Sequence, residues 1–171
     1  KTIWIANGGT GGHFLPGTVC GKALQNKDYQ IIYWGEGKEI ENHLCKDHST
    51  DLNRPTGGGG RIKRGITLFY MQLKKVFMQR PVISILCGGY SSFITGTFCV
   101  LFRIPFVLLE QNTIPGKINR LLSRFALKAY ITYPQSESYL KTQCELTGNP
   151  VREVEIQDEK EYDILIIGGS Q

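Results

Sequence analysis

The stretch WIANGGTGGHFLPG, Trp4 to Gly17, decides how the rest of the chain is read. Three apolar residues, Trp4 to Ala6, run into Asn7, two Gly-Gly pairs enclose Thr10, and His13 follows directly, with Pro16 close behind. The order apolar run, glycine turn, helix start is that of a β-strand feeding an α-helix in an α/β sheet. Glycines let backbone N–H groups turn toward an anion without interference from a Cβ, and the helix start adds unpaired donors and a positive dipole end. Gly9, Thr10, Gly11 and Gly12 are therefore candidate phosphate or pyrophosphate contacts. The spacing excludes two familiar nucleotide modes. Phe14 stands where a dinucleotide fingerprint needs its last glycine, and no Gly-Lys-Ser/Thr follows as in a Walker loop. His13 lies in the field of a helix amino terminus, which disfavours the imidazolium and leaves a neutral ring able to accept a proton. General base and helix-capping side chain both remain open for it.

Working outward, the pattern repeats. Strand-like runs over residues 2–6, 30–34, 82–87, 106–109, 129–133 and 163–167 alternate with helix-like stretches over 15–25, 66–79, 92–102, 118–127 and 136–141. Several of the runs are apolar on both faces, as in parallel strands covered by helices, so the expected fold is a Rossmann-like, doubly wound, mostly parallel α/β sheet. Ligands in such sheets collect at the carboxyl ends of the strands. Three further segments take that position: CGGYSS (Cys87 to Ser92), EQN (Glu110 to Asn112) and TGNPVR (Thr147 to Arg152). Gly88, Gly89 and Tyr90 repeat the glycine-turn logic, although a simple turn explains them too. Glu110, Gln111 and Asn112 bring three polar side chains to the end of a buried strand, which suits recognition of sugar hydroxyls. Glu36, in GEGKE, reads as a surface charge, and His43 and His48 read as surface residues.

Composition limits the function classes. The 171 residues are 41% hydrophobic, enough for one sizeable core. Five cysteines in no C-x-x-C pair, with no histidine at zinc spacing, indicate neither a disulfide framework nor a zinc site. No secretory-signal pattern is present at the start of the sequence. The most apolar region, 93–109, is interrupted by Arg103 and Pro105 and falls short of the ~20 apolar residues a spanning helix needs. The net charge of +5 is unevenly placed: between Asp51 and Glu110 there is no acidic residue, whereas Arg54, Arg61, Lys63, Arg64, Lys74, Lys75, Arg80 and Arg103 fall there. Such asymmetry predicts an anionic partner. No nucleic-acid-reading motif accompanies it, so nucleic acid is not expected. In the helix over 66–79, the stripe Ile66, Phe69, Tyr70, Leu73 and Phe77 is expected to face the core. That leaves Leu68 and Met71, beside Lys74 and Lys75, as the expected contact with an anionic membrane. Near the end, VREVEIQDEKE reads as a linker and YDILIIGGSQ as a strand entering a glycine turn. The expected division is residues 1–150 as one Rossmann-like domain and 151–171 as a linker plus the first strand of a second, truncated domain.

Taken in order, GGTGGH, GGY, EQN with a following PG, GNPVR and the terminal GGSQ resemble the MurG family of UDP-N-acetylglucosamine transferases over the whole chain. The resemblance implies the amino-terminal domain of a two-domain GT-B glycosyltransferase. The implied reaction is inverting transfer of N-acetylglucosamine from UDP-N-acetylglucosamine to the 4-hydroxyl of the muramyl sugar of an undecaprenyl-diphosphate-linked muramyl-pentapeptide, lipid I. It makes His13 the base. Thr10, Gly11, Gly12, Asn112, Arg152 and Ser170 become donor contacts, and Gly9, Gly88, Gly89, Tyr90, Glu110, Gln111 and Arg124 acceptor contacts. It implies no metal and no cofactor, and a peripheral place on the cytoplasmic face of the bacterial inner membrane. The chain departs from the family in two places: a four-glycine stretch, Gly57 to Gly60, replaces a usual strand and longer loop, and Leu109 precedes EQN where a histidine often stands. A nucleotide-dependent oxidoreductase and a non-catalytic lipid-surface module are the alternative classes.

Overall fold

The computed structural model describes residues 1–47, 51–55 and 59–151. Its centre is a seven-stranded, all-parallel sheet. The strands are β1 (Thr2–Ala6), β2 (Gln30–Trp34), β3 (Leu52–Asn53), β4 (Ile83–Leu86), β5 (Phe106–Glu110), β6 (Lys128–Ile131) and β7 (Cys144–Leu146). The helices are α1 (Gly11–Gln25), α2 (Ile40–Asp47), α3 (Arg61–Met78), α4 (Gly89–Leu101) and α5 (Lys117–Leu122), with 3-10 turns at Ser123–Phe125 and Pro134–Tyr139. Strand order is β3-β2-β1-β4-β5-β6-β7, so the chain winds outward from β1 in one direction, crosses back through α3 and winds outward in the other. The doubly wound expectation is met. Strand β1 is in register with β2 on one side and with β4 on the other, from Ile3 opposite Ile83 to Ala6 opposite Leu86. The loops after Ala6 and Leu86 therefore leave the sheet side by side at the point where strand order reverses, which is where an open α/β sheet has a crevice.

Alternation along β1 builds both faces. Trp4 and Ala6 join a core with Leu68 and Val76 of α3 and Phe98 of α4, while Ile3 and Ile5 join Phe14 of α1, Tyr33 and Leu109 on the other side. Trp4 sits edge-on to Trp34 at 5.0 Å between ring centroids. A polar pair is sealed in the first core: Gln72, fully buried, donates from Nε2 to the Thr95 hydroxyl at 2.6 Å.

That pair marks the main departure from expectation. Helix α3 turns Gly65, Leu68, Gln72 and Val76 inward, and Met71 packs against the same core. Leu68 is 1% exposed, so neither Leu68 nor Met71 forms the outer apolar edge expected of them. The stripe expected to be core is the one that faces out, with Ile62, Ile66, Tyr70 and Phe77 exposed and Phe69 and Leu73 only partly buried. The buried face is the one that carries Gln72, so its apolar pattern is interrupted where the core lies. Short elements also escaped the sequence: α2, the two-residue β3 and the three-residue β7 were not foreseen. The expected strand at 163–167, with Arg152 and Ser170, and Gly57 and Gly58 of the glycine stretch lie outside the described residues, as does His48.

Candidate functional site: the crevice between the two glycine turns

His13 is in the first turn of α1, half-buried, with its ring against the second glycine turn. A Cβ built on Gly88 would lie 2.8 Å from His13 Cε1, and one on Gly89 would lie 3.4 Å from His13 Cδ2. The structure thus brings His13, Gly88 and Gly89 together. With Glu110, Gly116, Lys117, Ile118 and Asn119 they line a cavity of about 140 Å³ at the carboxyl ends of β1, β4 and β5. Two buried polar atoms of this lining, His13 Nδ1 and Asn119 Oδ1, have no hydrogen-bond partner among the described residues. Such orphaned groups cost free energy unless a ligand or water satisfies them. Asn119 is 2% exposed, and the sequence reading missed it. Its signal was present, two residues into a helix following a glycine-bounded loop, but nothing in the spacing tells that α5 returns to the crevice.

The backbone of the first glycine turn is held from beneath. Asn7 Nδ2 donates to the Phe14 carbonyl at 3.1 Å and to the Thr18 hydroxyl at 3.3 Å, anchoring α1 to the end of β1. Gly8 N donates to Ser91 Oγ, and Gly9 N to Glu41 Oε1 at 2.9 Å. Thr10 and Gly12 are exposed and Gly11 is half-buried at the start of α1, where first-turn N–H groups have no intrahelical acceptor. Those groups face outward as donors; the Gly9 amide, expected to contact substrate, is already committed to Glu41.

The second turn differs from expectation more sharply. Glu36 is not a surface charge: it is 5% exposed, and its Oε1 accepts from Tyr90 N at 2.6 Å and Ser91 N at 3.3 Å, the opening amides of α4. Its Oε2 pairs with Lys38 Nζ at 2.8 Å. Gly88 N donates to Ser92 Oγ at 2.9 Å. The Tyr90 side chain turns away from the crevice toward α3, where its hydroxyl donates to the Arg61 carbonyl at 3.1 Å and its ring lies under the Arg61 guanidinium. It helps line an apolar groove of about 450 Å³ with Ile62, Ile66, Tyr70 and Ile94.

Glu110 lines the cavity but is 2% exposed, and both its oxygens are engaged. Oε1 accepts from the backbone and side-chain nitrogens of Asn112, and Oε2 from Gly116 N and Asn119 Nδ2. These bonds shape the loop that presents Asn112, which is exposed. Gln111 is turned back onto the Leu109 carbonyl at 3.2 Å. Arg124 is not brought to the crevice: it sits exposed in the 3-10 turn just before β6, at the amino ends of the strands. Among the described residues no group of three or more His, Cys, Asp or Glu side chains is placed to hold a metal ion.

A family model described as the glycosyltransferase family 28 N-terminal domain matches residues 3–131. The chain belongs to that family. Among curated relatives of this family 28 chain, it is 35% identical to the UDP-N-acetylglucosamine--N-acetylmuramyl-(pentapeptide) pyrophosphoryl-undecaprenol N-acetylglucosamine transferase of Sulfurihydrogenibium sp., a match covering 100% of this chain and 54% of the relative. It is 32% identical to the protein of the same name from Shewanella loihica, covering 99% and 51%. The family 28 chain therefore spans about half the length of the curated relatives it matches. Among solved structures it is similar to MurG of Acinetobacter baumannii, with a TM-score of 0.73 at 21% identity over 90% of this chain and 47% of that one. It also resembles UDP-GlcNAc 2-epimerase of Methanocaldococcus jannaschii, with a TM-score of 0.68 at 13% identity over 87% and 47%. The resemblance read from the glycine and EQN segments is borne out in family and in fold.

Proposed function

We propose that this chain is the acceptor-binding half of an inverting glycosyltransferase that moves N-acetylglucosamine from UDP-N-acetylglucosamine to the 4-hydroxyl of a muramyl sugar carried on undecaprenyl diphosphate, lipid I. The observation that carries the reading is His13, its ring set against Gly88 and Gly89 with a buried nitrogen unpartnered, in the same first turn of α1 as Gly11 and Gly12. The family match and the names of the relatives supply the substrates. In the reaction the acceptor oxygen attacks the anomeric carbon, His13 takes the hydroxyl proton, and UDP leaves from the opposite face. In this reading Thr10, Gly11 and Gly12 border the donor sugar and the acceptor pyrophosphate, and exposed Asn112 offers its amide oxygen to donor hydroxyls. Arg152 and Ser170 belong to the donor side in this reading, and residues 1–150 form the acceptor- and membrane-binding unit.

The outward face of α3 is the membrane contact in this reading. Ile62, Ile66, Tyr70 and Phe77 are exposed along one side, with Lys63 and Lys74 exposed beside them and Lys75 half-buried. An apolar stripe flanked by cations suits the interface of an anionic bilayer, as at the cytoplasmic face of the bacterial inner membrane. No helix among the described residues is long and apolar enough to cross a membrane. The test of the catalytic reading is transfer of labelled N-acetylglucosamine to lipid I by the full-length protein. His13→Ala is expected to lower kcat at least ~100-fold with KM little changed. Turnover equal to wild type would remove His13 from the chemistry.

A further inference from the structure

The side-chain amide of Asn119 is fixed in one orientation. Its Nδ2 donates to Glu110 Oε2 at 2.9 Å and to the Leu109 carbonyl at 3.3 Å, two oxygens that accept and do not donate, so a flipped amide would set oxygen against oxygen. Oδ1 is therefore held on the other side, in a residue 2% exposed, and has no partner among the described residues. What it needs is a hydrogen.

Three other polar side chains line the same cavity: His13, Glu110 and Lys117. Glu110, as a carboxylate, has no hydrogen to give, and both its oxygens already accept from the Asn112–Asn119 loop. Lys117 is exposed, so water meets its ammonium. His13 remains, and its Nδ1 is the other buried atom of this lining without a partner. A neutral imidazole carries one hydrogen, on either nitrogen. On Nδ1 that hydrogen matches the amide oxygen; on Nε2 it leaves two acceptors buried and unsatisfied in one small cavity. We propose that Asn119 is a positioning residue for His13. Its Oδ1 accepts the Nδ1 hydrogen across the cavity and so holds the ring in the tautomer whose Nε2 lone pair is free for the acceptor hydroxyl. The ring has room to make this bond because Gly88 carries no Cβ, which would lie 3.0 Å from Nδ1. The role rests on the reading of His13 as the base, and it names Nε2 as the nitrogen that takes the proton.

The test is nitrogen NMR of the histidine rings in the isotope-labelled 171-residue chain at about pH 8, above the ordinary imidazole range. In the wild-type chain the shifts of His13 are those of a protonated Nδ1 and a bare Nε2, and its Hδ1 exchanges slowly with solvent. In Asn119→Ala the Nε2–H form becomes populated, the two nitrogen shifts move toward each other, and Hδ1 exchanges fast, while exposed His43 keeps its shifts as an internal control. Asn119→Asp gives up the Nδ2 bonds to Leu109 and Glu110 but keeps an acceptor oxygen, so it holds the wild-type pattern, which a merely structural role of Asn119 would not do. A wild-type ring protonated on Nε2 overturns the proposal even where the alanine variant fails to fold. So does a His13 spectrum unchanged in Asn119→Ala, or one that in Asn119→Asp follows the alanine pattern. If the spectra follow the expected course while full-length His13→Ala transfers N-acetylglucosamine at the wild-type rate, the pairing stands and the base assigned under the proposed function falls.

Discussion

Glu41 lies wholly out of solvent, yet its carboxylate is the joint between the first two strand-end loops. Oε1 accepts from Gly9 N at 2.9 Å and Glu36 N at 2.8 Å, Oε2 accepts from Gly37 N at 3.0 Å, and the Arg54 guanidinium stands 3.9 Å away. Charge-assisted bonds of this kind replace the water a buried carboxylate loses, and removing one partner leaves the others unsatisfied. Glu41→Gln turns one acceptor oxygen into an NH₂ group that must face N–H donors. It is expected to cost about 2–4 kcal/mol in urea unfolding. Glu41→Ala is expected to cost at least as much, whereas a substitution at exposed His43 on the same helix stays within ~0.5 kcal/mol. These two outcomes separate a buried joint from a helix-propensity effect. His13 and the Gly88–Gly89 turn were legible in the sequence because each follows a strand directly. The acids of GEGKEIE were not, because a carboxylate that collects amides from two loops, one of them 32 residues away, has no linear signature.

Helix α3 shows what periodicity can and cannot deliver. Its existence was plain from the apolar spacing, and the helix runs Arg61–Met78. Its orientation was misread because both of its faces carry large apolar side chains, and the buried one is interrupted by Gln72. Thr95 takes the amide nitrogen of Gln72, while its Oε1 is buried without a hydrogen-bond partner among the described residues, so the glutamine stands where leucine would be expected with only half of its amide paired. The two faces are separable by mutation. Leu68→Ala empties a core position beside Trp4 and Phe98 and is expected to lower stability by about 2–5 kcal/mol in urea unfolding. Ile66→Glu with Phe77→Glu alters only the outward side, where Phe77 is 81% exposed, and is expected to leave stability within about 1 kcal/mol. Co-sedimentation with phosphatidylglycerol vesicles should reverse the ranking: near-normal binding for folded Leu68→Ala, and a several-fold loss for the double glutamate variant. Equal binding by both would remove α3 from the membrane reading.

At the scale of the molecule, the sheet was legible because five parallel strands in the chain's interior are apolar on both faces, and that pattern has few explanations other than helices on each side. Edge strands β3 and β7 were not, since two or three residues carry no period. The double coverage has a consequence for alkaline stability. Burial pushes the Cys99 thiol up to about 12, against a smaller opposing pull from its hydrogen bond to Ser84 Oγ. It raises the fully buried Cys87 thiol further, with Cys20 adding to the effect. Burial also lifts the Tyr33 phenol to about 12, with Cys20 and Cys87 contributing. Each is an acid whose neutral form the folded state prefers, so the folded protein keeps protons that the unfolded chain releases. Their contribution is fully present below the unfolded-chain values, near 9 for the thiols and 10 for the phenol, and is lost as pH climbs toward the folded ones. Urea midpoints should therefore hold level from pH 7 to 8.5 and fall above pH 9, steepening by ~1.4 kcal/mol per pH unit for each buried group. Cys99→Ser would not isolate the effect, because a hydroxyl changes the packing too; Cys99→Ala and Cys87→Ala together should flatten the alkaline limb while lowering stability at pH 7. An alkaline limb as steep in that double variant as in the wild-type chain would mean that other groups, not these thiols, set the decline.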